Sequence, residues 1–443
     1  MMNPSYVPTA LSLQPGETEN ERRLVWYQPI NCRQAFAELT TLTDYERENG
    51  FGRASRRIGG TVNTIPLNGT DVSCKVRIFD LIPGENYLYR VGSEAGVEDA
   101  VHSFRIPGNN TKRSFAVTAD SHVRLFRKQP GADGQITYAD KWQRVADRLA
   151  AFRPDLLVSV GDNICQYNFC GESLEQRRLD GEKEMAAFFA PETMKSIPFL
   201  SCLGNHDAMI GEISEYSSLT GSHFDLPHDD GFSGHTLNGS IGDAYYQLGT
   251  VLVITLNASV FSGANADNLM MPVHERFVEK AIAACPSARW RVLVIHEAPF
   301  GSAGVANEDA FERAKKITDM IAPLCDRWGI DVCFSGHNHA FSCSHPIKNG
   351  VITQKGTDLI RPEGTVYYNV PSVMEHSFTG LWAPVKPLQR VWGFTEYHGQ
   401  EEDGGIRFAS PMFVLAEADE RRLTISLMRS DKDEPIDELT ISK

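Results

Sequence analysis

Pro154–Asn163 reads PDLLVSVGDN: a helix-stopping proline, a short apolar run around one serine, then Gly161, Asp162 and Asn163. A run this short, bounded by Pro and Gly, is a buried strand whose polar residues emerge at its C-terminal tip. Before it, YADKWQRVADRLAAF (138–152) carries apolar residues at helical spacing, and SFAVTAD (114–120) is another short apolar strand ending in a carboxylate. Strand, helix, strand is the rhythm of a layered α/β domain. It recurs where VHERFVEKAIAAC leads into WRVLVIHEAP, and where EDAFERAKKITDMIAPLCDRWG leads into IDVCFSGHNHAF. The last strands, within MFVLAEADERRLTISLMRSDKDEPIDELTIS, read as hairpins that complete a sheet.

Up to about Ile106 the pattern is different. Short alternating runs such as RRLVWYQ, GTVNTIPL, SCKVRIFDL and NYLYRVGS are separated by LNGTD, IPGEN and PGNN turns, the pattern of a small β-sandwich. PGNNTKR (107–113) reads as the linker. The expectation is therefore two units, residues 1–110 and residues 111–443, which suits a chain of 443 residues.

The net charge of −14 and the lack of a basic run exclude nucleic acid or an anionic membrane as the main partner. No run of about eighteen apolar residues could span a bilayer, and the N-terminus lacks the apolar core of a signal peptide. Nine cysteines without a CxxC framework favour reduced thiols and a cytoplasmic setting, with Cys165 and Cys170 as one local pair that could form. A chain trimmed of a leader would read the same, so a secreted setting stays open.

Each strand tip carries metal-competent side chains: ADSH (Asp120, His122), GDN (Asp162), GNHD (Asn205, His206), VIHE (His296) and GHNH (His337, His339). Strand C-termini are where open α/β sheets place ligands. GNHD alone could be a turn whose Asn and Asp cap a helix, and GHNH alone is equally weak. Five ordered motifs supplying carboxylates, imidazoles and one amide suit a hard-to-borderline divalent metal and exceed one tetrahedral site. Two ions sharing a carboxylate use them economically.

Asp-x-His, Gly-Asp-x, Gly-Asn-His-Asp, a lone His after an apolar strand and Gly-His-x-His, in that order, resemble the calcineurin-like metallophosphoesterases. The N-terminal segment VRIFDLIPGENYLYRVGS resembles the Leu-x-Pro-Gly-x-x-Tyr-x-Tyr stretch of fibronectin type III-like domains. Joined to this core, such a domain is similar to the purple acid phosphatases and their bacterial relatives. The resemblance implies an α/β fold, a four-layer αββα sandwich, preceded by the small all-β sandwich. By motif, one metal would take Asp120, His122, Asp162 and His339, the other Asp162, Asn205, His296 and His337, with Asp162 the bridge. Purple acid phosphatases have a tyrosine where GDNIC places Cys165. With His122 in the first motif instead, Mn, Fe(II) or Zn suits the centre better than a ferric ion. The further histidines of the plant enzymes are missing after His296.

The activity implied is hydrolysis of a small phosphate monoester. A hydroxide held between two ions about 3.5–4 Å apart would attack in line, with His206 as general acid and Asp207 orienting its ring. A phosphodiesterase or nucleotide pyrophosphohydrolase would use the same centre. A non-enzymatic scaffold would tolerate lost ligands, and none of the seven is lost. Among other residues, His223, His228 and His235 lie in a polar insert (Ser217–Asp243) read as solvated loop. His274 and His376 are read as structural, Met270 and Met271 as packing, Glu401 as part of a solvated acidic loop, and Cys165 as a small buried side chain.

Overall fold

The computed structural model describes residues 6–63, 70–110, 112–124, 138–165, 174–208, 221–231, 241–259, 270–301, 308–373, 385–395, 406–408 and 411–443. Cys170, His235, His376 and Glu401 lie outside the described residues.

Two N-terminal sheets face each other. One runs in the order Thr9–Pro15, Arg22–Pro29, Asp71–Ile78, Thr61–Val62. The other runs Arg56–Gly59, Phe36–Thr41, Asn86–Ser93, Gly96–Val97, with His102–Arg105 also paired to Asn86–Ser93. Leu13, Leu24, Trp26 and Val76 of the first and Leu39, Tyr89 and Val91 of the second form a single core. Simple alternation in RRLVWYQP predicts one wet face, yet Arg22–Gln28 is buried throughout. Leu24 and Trp26 point into the sandwich, while Tyr27 joins the core of the rest of the molecule, so both faces are covered.

The remainder is an α/β structure of four layers. Its first sheet runs Phe199–Ser201, Leu156–Ser159, Arg113–Thr118, Met412–Ala418, Arg422–Arg429, Asp437–Ser442, Asp358–Ile360. The first three strands are parallel, and the C-terminal hairpins continue the sheet antiparallel from Arg113–Thr118. The second sheet is built around four parallel strands, Val251–Thr255, Trp290–Val294, Val332–Ser335 and Val366–Asn369. Alternation along these strands sends Val253, Val292, Val294 and Phe334 toward the first sheet, where Phe334 meets Phe115 edge to face at 6.3 Å. Leu252, Ile254, Leu293 and Cys333 point the other way, against the Met271–Ala284 and Glu308–Trp328 helices.

On the far side of the first sheet, the Tyr138–Phe152 helix buries Trp142, Val145, Ala146 and Leu149, the apolar stripe its spacing predicts. Trp142 stacks on Phe188 of the Leu174–Phe188 helix at 4.8 Å. Helix, sheet, sheet, helix is the αββα order. Among the described residues, no helix is long and apolar enough to cross a membrane.

Candidate metal centre

Five parallel strands, three of the first sheet and two of the second, end at one place, and all seven expected ligands follow those ends. Asp120, His122 and His339 bring ligand atoms within 4.8 Å of one another, and so do Asp162, His296 and His337. Asn205 joins the second group, with Oδ1 2.9 Å from both His296 Nε2 and His337 Nδ1. Asp162 stands between the groups: Oδ2 is 3.2 Å from His296 Nε2 and 3.5 Å from His122 Nε2. His122 and His339 face each other at 2.9 Å between their Nε2 atoms.

The backbone that aims these side chains is unusual. Asp120, His122, Asp162, His337 and His339 all have φ between 41° and 66°, the left-handed region that non-glycine residues seldom occupy. Hydrogen bonds hold them there: His122 N–H donates to Asp162 O at 2.9 Å, Asp120 N–H to Gly161 O at 3.1 Å, and His337 N–H to the Asp120 carboxylate. Two motif glycines make room for the carboxylates. A Cβ on Gly204 would lie 2.0 Å from Asp162 Oδ1, and one on Gly336 would lie 2.5 Å from Asp120 Oδ2.

Burial works against every charge in this cluster, and the charges answer one another. The histidines around Asp120 and Asp162 overcome burial and hold both carboxyls well below the usual carboxylate range. Against burial, Asp162 and Asp120 raise His296 to about 10. Burial, together with His296, drives His337 down to about 3, and burial keeps His122 below an ordinary imidazole. Two ionised carboxylates, an amide oxygen and four imidazoles, of which His122 and His337 are held below their ordinary value, are the donor set a divalent cation needs, so the residues fit metal ions. His296 Nδ1 lies 3.0 Å from the carbonyl of Val160, which leaves Nε2 to face the cluster. No pattern in the sequence announces that carbonyl.

His206 and Asp207 part company. The His206 ring is one-fifth exposed, lies edge-on to His122 at 4.5 Å, and has Nε2 4.0 Å from Asp162 Oδ2 and Nδ1 3.7 Å from Cys165 Sγ. Burial lowers it to about 4. Asp207, expected to orient this ring, has its carboxylate engaged elsewhere. Its carboxylate accepts from the backbone N–H groups of Asn163, Ile164 and Gly204 and from Asn163 Nδ2, at 3.0–3.3 Å. Those four donors take up its oxygens, so Asp207 ties the GDN turn to the GNHD turn. Behind it, Asn257 Oδ1 accepts from Leu203 N at 2.8 Å, Asp243 Oδ1 accepts from Asn257 N at 2.9 Å, and Asp243 contacts the buried His274 at 2.5 Å.

The described part of the insert also departs from its reading as solvated loop. Ser222–Leu226 is buried against the N-terminal sandwich. His223 meets Glu182 at 3.0 Å and packs on Tyr27 and Phe189, and His228 stacks on Tyr245 at 4.1 Å. Arg23 and Arg77 both pair with Asp225, and Lys75 donates to the carbonyls of Gly221 and Phe224. Cys165 is buried and, like every described cysteine, a free thiol.

The calcineurin-like phosphoesterase profile matches residues 113–341. The fold is similar to that of a purple acid phosphatase from yellow lupin (Lupinus luteus) seeds, with a TM-score of 0.71 at 16% identity over 99% of this chain and 74% of that one. It is also similar to PhoD, with a TM-score of 0.64 at 11% identity over 100% of this chain and 92% of that one. No curated protein matches the sequence significantly.

Proposed function

The chain belongs to the calcineurin-like phosphoesterase family, and from that premise we propose that it is a dinuclear metal-dependent hydrolase of small phosphate monoesters. One observation carries the reading: the Asp162 carboxylate stands between two histidine-rich ligand groups. Asp120, His122, Asp162 and His339 would hold one ion, and Asp162, Asn205, His296 and His337 the other, with Mn, Fe(II) or Zn the candidates by donor type. When bound, such ions supply Lewis acidity, acidifying a water and neutralising charge on the phosphoryl group.

The chain's own part in the chemistry is to orient and to move one proton. His206, partly exposed beside the ligand groups, protonates the leaving oxygen as its bond to phosphorus breaks. A bound phosphoryl group is anionic, and its approach raises the imidazole from its lowered resting value. Asp207 acts as a positioning residue by joining two ligand turns. The sandwich, residues 1–110, holds the 221–231 segment against the catalytic unit, residues 111–443, through Arg23, Lys75 and Arg77.

The test is hydrolysis of matched aryl phosphate mono- and diesters by metal-free protein reloaded in turn with Mn, Fe(II) and Zn. Preference for the monoester with at least one of them is expected. Preference for the diester would move the activity to a phosphodiesterase or nucleotide pyrophosphohydrolase, and no metal-dependent turnover would refute both.

A further inference from the structure

The geometry points to Cys165 as the positioning residue of His206, holding the imidazole so that Nε2 faces the ligand cluster. This rests on the general-acid role of His206 proposed above. Cys165 Sγ lies 3.7 Å from His206 Nδ1, within reach of an N–H to sulfur hydrogen bond. The other ring nitrogen, Nε2, is 4.0 Å from Asp162 Oδ2 and so faces the cluster. A ring with one nitrogen bound to sulfur and its face braced edge-on by His122 at 4.5 Å has little freedom to flip.

The sulfur is itself held in place. The Cys165 backbone N–H donates to Glu184 Oε2 at 3.1 Å, from the Leu174–Phe188 helix, and Arg124 Nη2 donates to Cys165 Sγ. The side chain that does this elsewhere in catalytic sites is usually a carboxylate or carbonyl, and the neighbouring candidate, Asp207, has its oxygens engaged by the two turns. In the step itself, a water-derived oxygen forms its bond to phosphorus and gives its proton to solvent. The P–O bond to the leaving group breaks with its electron pair going to the leaving oxygen, and that oxygen takes the proton from Nε2 of the doubly protonated His206 ring. The ring ends neutral, with its remaining proton on Nδ1 directed at Sγ. A neutral sulfur is a weak acceptor, so it fixes orientation without holding the ring in its charged form.

The experiment compares two leaving groups on one phosphate. An alkyl phosphate needs its leaving oxygen protonated, whereas a p-nitrophenyl phosphate scarcely does. Cys165→Ala is expected to keep the metal content and to lower kcat for the alkyl ester about 10–100-fold, with a much smaller change for the nitrophenyl ester. Cys165→Ser, which restores an acceptor, should fall between alanine and the unaltered protein. The double variant Cys165→Ala/His206→Ala should be no slower than His206→Ala alone. Equal losses on both esters, loss of metal, or additive losses in the double variant would overturn the role of Cys165. If His206→Ala itself shows no leaving-group dependence, the general-acid reading fails instead, and the two failures are told apart by that one variant.

Discussion

Gly204 exists to clear a path for Asp162: a Cβ built on the glycine would lie 2.0 Å from the aspartate's Oδ1. The same oxygen accepts from His206 N at 2.7 Å, so the carboxylate cannot move aside without losing its hold on the GNHD turn. Gly204→Ala should therefore weaken metal binding by at least about tenfold, although residue 204 donates nothing to a metal. Metal analysis of the purified variant checks this, and full occupancy would show that the turn has slack.

Asp162→Ala should abolish metal loading and turnover together, because the residue faces both ligand groups. His206→Ala should retain metal and lose about 10²–10⁴ in rate. Metal content measured beside kcat separates the two, and loss of metal from the His206 variant would make His206 a ligand.

Asp207→Asn replaces one accepting oxygen by a donor where backbone N–H groups converge. An unsatisfied buried donor pair costs about 1–3 kcal/mol. The variant should lose thermal stability and metal affinity in parallel. Were it to keep both and change only its pH–rate profile, Asp207 would be orienting the His206 ring after all.

The convergence of seven side chains was legible because strands in such sheets end on one side, and each of the five strands announces itself by a short apolar run and a polar tip. The strand–helix alternation followed from the same periodicity, and the four-layer order from the resemblance to the calcineurin-like metallophosphoesterases. What stayed hidden lies in contacts between segments far apart in the chain. The burial of His223 depends on Tyr27, and the occupation of Asp207 depends on Asn163, neither of which local spacing records. The insert read as polar because its charges are real, but their partners, Arg23 and Arg77, lie some two hundred and one hundred and fifty residues upstream.

Asp225 sets up a contrast between two ion pairs. Arg23 is almost fully buried, whereas about half of the Arg77 side chain is exposed. Asp225→Ala leaves the buried Arg23 charge with only the half-exposed Glu17, 3.3 Å away, and should cost about 3 kcal/mol. Arg77→Ala should cost about 1 kcal/mol or less. Urea denaturation midpoints check the difference, and equal shifts would mean that Glu17 alone satisfies the Arg23 charge.

His102 sits between Glu98 and Glu192, 2.9 and 2.8 Å away, bridging the sandwich to the catalytic layers. Burial alone would lower it, but the two carboxylates raise it from 6.5 to about 9. A raised histidine stabilises the fold fully below its unfolded value of 6.5 and loses that contribution as pH rises through about 9. The melting temperature should fall over this interval, and His102→Gln should flatten the fall. An unchanged slope in the variant would remove His102 from the interface energetics.

Five ligand candidates in left-handed backbone have an evolutionary consequence. Each such residue costs roughly 1–2 kcal/mol relative to an ordinary conformation. A lineage that no longer needed the cluster could recover that energy by drifting to glycine or asparagine at Asp120, His122, Asp162, His337 and His339. Ancestral or laboratory variants selected only for heat resistance in chelator should accumulate changes at these five positions before the surrounding strands.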